Sequence, residues 1–204
     1  LPISHNPICN LRLGSGVMPF RALRDRSVPI ALGSDERSAD DTIDLWTVMK
    51  QAGLIHQIAD PDYARWPAPM EILRAATSGG ARGMRRGDLG RIETGCQADI
   101  ILIDPDSLAF TPMNDLRRQL VYSDAGASVV MTMVAGQVVM RDGTVLTVDE
   151  ASLRAEIRSR QAEIDADILA TTRAADRLEP YWRAMYLRAA AVDVGFTRWV
   201  GGRS

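Results

Sequence analysis

Apolar and polar residues alternate along this chain in blocks whose period changes more than once. After a short apolar opening at residues 2–4, a loop holding Asn6, Pro7, Asn10, Gly14 and Gly16 follows. Val17, Phe20 and Leu23 then recur three apart, with Arg21, Arg24 and Arg26 between them, which predicts a short amphipathic helix. Residues 28–32 are continuously apolar, the mark of a strand buried on both faces, and Pro29 is tolerable near its start. A polar loop over 33–41 leads to a helix predicted over 43–58, with Thr42 as N-cap and Leu45, Val48, Met49, Ala52 and Ile55 on one face. Strand, loop, helix, strand, loop, helix implies a parallel sheet or barrel.

Beyond a link containing Pro61, Pro67 and Pro69, residues 70–77 read as a short helix stopped by Gly79 and Gly80. The character then shifts. Residues 98–103, 129–134 and 137–140 are β-rich, and Ala135-Gly136 and Asp142-Gly143 are turn signals between them. From Glu150 the pattern is helical, with Leu153, Ile157, Ile164, Ile168 and Leu169 spaced among charges. Glu179-Pro180 is expected to break it before a last helix over 181–191. The chain thus divides into three segments: 1–87, 88–148 and 149–204.

Composition narrows the classes. The 204 residues are 46% hydrophobic and 25% charged, and 24 Lys+Arg stand against 26 Asp+Glu. That balance excludes a disordered chain and argues against a nucleic-acid partner; the stretch with Arg82, Arg85, Arg86 and Arg91 reads as a solvated face. No apolar run approaches the ~20 residues of a membrane span. Cys9 and Cys96 are far apart and lack metal or redox spacing, so a cytoplasmic setting is expected. Leu1 falls where a buried strand would end, which leads us to expect sequence upstream.

Two loops each follow a buried strand, and each holds a potential ligand: His5 and Asp35. Loops at the C-terminal ends of successive parallel strands converge on one face, so the two can be neighbours across a pocket. Taken alone, His5 reads more readily as a loop brace than as a ligand, and Asp35 more readily as a helix cap. His56 reads as a surface or packing residue, and Trp182, Met185, Tyr186 and Ala189 as a stripe for core or subunit packing.

The longer strings say more. SHNPICNLRLGSG, VPIALGSDE, ILRAATSGGARGM, DLGRIETGCQADIILID and LVYSDAGASVVMTMVAGQVVMRDGTVLTVDE occur in that order over about residues 1–150. Together they resemble the amidohydrolase superfamily, in its aminohydrolase branch of adenosylhomocysteine/methylthioadenosine deaminases, guanine deaminases and triazine hydrolases. The resemblance implies an α/β fold: the last two βα units of a (β/α)8 TIM barrel over 1–87, the C-terminal part of a small β-sandwich domain over 88–148, and a helical tail over 149–204. It implies one divalent metal, zinc before iron, held by histidines after strands 1 and 5 and an Asp after strand 8. Asp35 in ALGSD matches that Asp, as metal ligand and as proton acceptor for the attacking water. His5 matches the strand-7 histidine of a His-x-Pro-x-Ser-Asn string, standing behind the ligands or facing substrate, with Asn10 shaping the same loop and Cys9 in place of the usual Ser.

Glu36 departs from the Gly usual after the metal Asp. It can accept a hydrogen bond from an amino or ring N–H, or lie in solvent beside Arg37. Ser38, Asp40 and Asp41 add acceptors suited to an amine-bearing substrate.

The sequence contains no His-x-His, and His5 and His56 are its only histidines. A catalytic zinc takes about three protein ligands, so the remaining ligands are expected outside this chain. Three readings are open. The chain is the C-terminal portion of a metal-dependent aminohydrolase cleaving an exocyclic C–N bond on a purine, pyrimidine or triazine-like ring, inactive alone and dimeric in full-length form. It belongs to a chlorohydrolase-type relative with another leaving group. Or it is a non-catalytic fragment or assembly module.

Overall fold

A computed structural model describes residues 1–41 and 43–195. Two compact units divide the chain, one over Leu1–Leu146 and one beginning at Thr147.

In the first unit, β1 (Ile3–His5) pairs in parallel with β2 (Ile30–Leu32), in the register Ile3 to Ile30 and His5 to Leu32. Every residue of β2 is buried, as its unbroken apolar run requires. Between the strands lie α1 (Pro7–Arg12) and α2 (Phe20–Asp25). The first falls where a plain loop is expected from sequence. Pro7 at its first turn has no N–H to leave unpaired, and its ring presets the helical φ.

After β2 comes a single turn, α3 (Arg37–Asp40), also within the expected loop, then α4 (Leu45–Ile55). Asp44 caps α4, its carboxylate accepting from the N–H groups of Trp46 and Thr47 at 3.0 Å each. The expected cap, Thr42, lies outside the described residues. The helix is shorter than 43–58, because His56–Ile58 tightens into a 3-10 turn. Val48, Met49 and Ala52 of α4 meet Phe20, Ile30, Leu32, Ile72, Ala75 and Val121 in one buried cluster.

The α5 helix (Pro69–Arg74) continues through a π-type turn (Ala75–Gly79) into α6 (Gly80–Gly83). Gly79 and Gly80 therefore do not stop a helix. A Cβ built on Gly79 would lie 2.2 Å from the carbonyl oxygen of Ile30, so this glycine lets the helix ride directly on β2. Glu71 locks the start of α5 to α2. It accepts from Arg21 (2.8 and 3.2 Å), Arg24 (3.4 Å) and the Ala68 N–H (3.0 Å). Burial alone would raise the Glu71 carboxyl, but these donors outweigh it and hold the pKa below its ordinary value.

The β-rich stretch forms a four-stranded antiparallel sheet in the order β3 (Ile100–Ile103), β4 (Val129–Val134), β5 (Gln137–Arg141) and β6 (Thr144–Val145). Ala135-Gly136 and Asp142-Gly143 each take two successive positive φ angles, which two-residue hairpins demand. A helix with no sequence-based expectation, α7 (Leu116–Tyr122), interrupts the module. Asp115 caps it through Arg117 and Arg118, and its Val121 joins the core cluster.

The second unit holds α8 (Glu150–Ser159) and α9 (Gln161–Ala190). Here α9 runs unbroken through Pro180, against the expected break. A proline removes one i to i−4 hydrogen bond, and the bonds on either side carry the helix past it. No helix among the described residues is long and apolar enough to cross a membrane.

Candidate functional site

The register of β1 and β2 brings two loops together at their C-terminal ends. Gly33 N–H extends the ladder by donating to the His5 carbonyl at 3.1 Å. A side chain at Gly33 would meet Asn6 Oδ1 at 2.7 Å and Ser4 Oγ at 3.0 Å, so these two polar side chains would have to shift to admit it. Two residues on, Asp35 turns into the left-handed region at φ 64°, a conformation Asp tolerates better than most residues. The turn presents its side chain at an exposed position.

Both Asp35 carboxylate oxygens are oriented. Oδ1 accepts from the Glu36 N–H at 3.0 Å, and Oδ2 from the Cys9 thiol at 3.1 Å. Each oxygen keeps a further lone pair for a cation or a proton. Cys9 is 3% exposed on α1, and its bond to Asp35, then burial, pushes the thiol pKa up. This thiol is thus a neutral donor, not a nucleophile.

The other expected site residues distribute around this carboxylate. Glu36 is exposed, and its carbonyl receives the Ala39 and Asp40 N–H groups at 3.0 and 3.1 Å, so it starts α3. Ser38 is exposed on the same turn. Asp40 is buried, and Asp41 forms an ion pair with Arg12 that ties α3 to α1. Asn10 sits within α1; its N–H donates to the Asn6 carbonyl and its own carbonyl accepts from Ser15.

His5 lies beneath the surface, 1% exposed, with Nε2 3.0 Å from His56 Nε2. Phe20 covers both rings, with centroids 6.4 Å from His5 and 5.1 Å from His56. His5 Nδ1 is buried without a hydrogen-bond partner. An orphaned N–H costs more than an orphaned lone pair, so the favoured tautomer has His5 donating from Nε2.

Two contacts here had no sequence signal beyond residue type. Cys9 reaches Asp35 across 26 positions and His56 reaches His5 across 51. The Cys-for-Ser exchange at position 9 was the one pointer to the first.

As a metal centre, this arrangement offers one oriented carboxylate. Among the described residues no group of three or more His, Cys, Asp or Glu could hold a metal ion. The donor set fits one ligand of a divalent cation and does not fit a whole site.

The chain matches the amidohydrolase family over residues 1–139. It is 34% identical over 166 residues to a 5'-deoxyadenosine deaminase of Methanosarcina mazei, covering 81% of this chain and 38% of that protein. Among solved structures it resembles a zinc-bound adenosine deaminase from Xanthomonas campestris, with TM-score 0.76 and 31% identity over 81% of this chain and 38% of the other. It also resembles atrazine chlorohydrolase from Arthrobacter aurescens complexed with zinc, with TM-score 0.73 and 28% identity over 78% and 35%. The chain thus spans little more than a third of the length of these relatives. With two parallel strands delivering an oriented carboxylate and a match over most of its length, the chain belongs to the amidohydrolase family.

Proposed function

We propose that this chain is the C-terminal portion of a metal-dependent aminohydrolase that releases an exocyclic amine from a purine, pyrimidine or triazine-like ring. One observation carries the reading: Asp35 sits at the C-terminal end of a buried parallel strand, with both oxygens oriented and a lone pair left on each. In this reading residues 1–87 are the last two βα units of the barrel, 88–148 part of a β-sandwich, and 149–204 a helical tail. The parent is a cytoplasmic dimer.

Asp35 would contribute one ligand to a zinc ion, with the others outside this chain. Zinc, when bound, acidifies water towards neutrality. Asp35 would accept a proton from that water and pass it towards the leaving amine, while Glu36 N–H and the Cys9 thiol keep the carboxylate aimed. Glu36 and Ser38, exposed beside it, would accept N–H groups of the heterocycle. Asn10 would shape the rim, and His5 would support the same loop from below. The structural likeness to atrazine chlorohydrolase favours one second reading, the same site with chloride as leaving group.

The test compares the full-length parent with its Asp35→Asn variant, assaying zinc content, ammonia release from 5'-deoxyadenosine and from an aminotriazine, and chloride release from a chlorotriazine. Asp35→Asn is expected to lower turnover at least about 100-fold and to reduce bound zinc. Wild-type turnover with full zinc in the variant would overturn the reading.

A further inference from the structure

Independently of that reading, we propose that α9 is a self-association element that pairs antiparallel with α9 of a second copy of this chain. The helix is 30 residues long and has no buried residue, with Ile168, Trp182 and Met185 all more than half exposed. Helices draw most of their stability in proteins from covering an apolar face. This one also carries a proline. Positions 164, 168, 171, 175, 178, 182, 185 and 189, alternating steps of four and three, all hold small or apolar residues, while Leu169, Tyr181 and Leu187 lie off that line. A sustained spacing of 3.5 marks a seam between two helices that wind around each other. Pro180 lies on the side away from that seam.

Size and charge choose the occupant. With position 164 set opposite 189 of the second copy, Ala175 faces Leu178, Thr171 faces Trp182 and Ile164 faces Ala189. Small meets large at these three layers, and Ile168 faces Met185 at the fourth, so most of the seam sets a small residue against a large one. In a parallel alignment Trp182 would stack on Trp182 and Ala175 on Ala175, leaving a bulge beside a hole. The antiparallel register also sets Asp167 beside Arg188 of the second copy, and among the described residues neither forms an ion pair within its own chain.

The experiment uses the 204-residue chain in a Cys96→Ser background, with Ile164→Cys and Ala189→Cys introduced in separate preparations. Light scattering should give a dimer, and oxidation should cross-link the two preparations only when they are mixed. A charge reversal, Asp167→Arg, should weaken dimerisation roughly tenfold, and adding Arg188→Asp should restore it. Cross-linking within either preparation alone, a monomer at 100 µM (about the upper range of such assays), or a dimer indifferent to Asp167→Arg would each overturn the proposal.

Discussion

Burial holds the His5 ring at a pKa of about 3, with the neighbouring His56 adding to the effect. His56 is held at about 4 by burial and then by Arg21. The unfolded chain, with both rings near the ordinary value of 6.5, binds more protons than the folded one throughout that interval. Stability therefore rises with pH across it, and is lost as pH falls from about 6.5 towards 4, by on the order of a few kcal/mol. Urea midpoints taken at intervals from pH 7 to pH 4.5 should show this loss. Replacing both rings together with Phe and Leu should flatten it, and an equally steep profile in that double variant would show that other groups titrate instead. Little of this pair is legible in the sequence: His56 carries no local mark of burial, and its partner is 51 residues away. Asp35 is legible because a buried run followed by Gly-Ser-Asp places it at a strand end whatever else surrounds it.

Among the elements, those with a period in their own residues are readable: β2, α4, the hairpins of the β module and the tail helices. The elements that depart from expectation share a cause in tertiary contact or in cap chemistry. Asn6-Pro7 and Asp115 mark the starts of α1 and α7, but weak periodicity over so few residues conceals both helices. Gly79 and Gly80 look alike in sequence and differ in structure. Gly79 presses on the Ile30 carbonyl, while a Cβ on Gly80 would meet nothing within 4 Å. Gly79→Ala should cost about 1–3 kcal/mol by forcing the helix off β2. Gly80→Ala should stabilise by about 0.5–1 kcal/mol through the loss of glycine's backbone freedom. Thermal unfolding of the two variants should thus shift in opposite directions; a shared direction would refute the close approach.

For the whole molecule, the relation of parts to function turns on the shortage of ligands. The sequence holds two histidines, both committed to each other in the core. Dialysis of the purified chain against zinc, followed by a chelator of micromolar affinity (about −8 kcal/mol), should leave no stoichiometric metal and no deamination. Retention of one zinc per chain would show a site built from other donors. The family is legible from the order of its motifs, whereas the pairing of loops at the strand ends needs coordinates, since it rests on the β1–β2 register and the Gly33 N–H bond to the His5 carbonyl. The left-handed backbone at Asp35 has a further consequence when viewed across sequence variation. Asn would keep the backbone and lose the charge. Glu would keep the charge but meet the left-handed penalty of about 1–2 kcal/mol and overreach its donors. Gly would keep only the conformation. Under the proposed ligand role, folding and chemistry would filter this position separately, and the two filters would overlap at Asp.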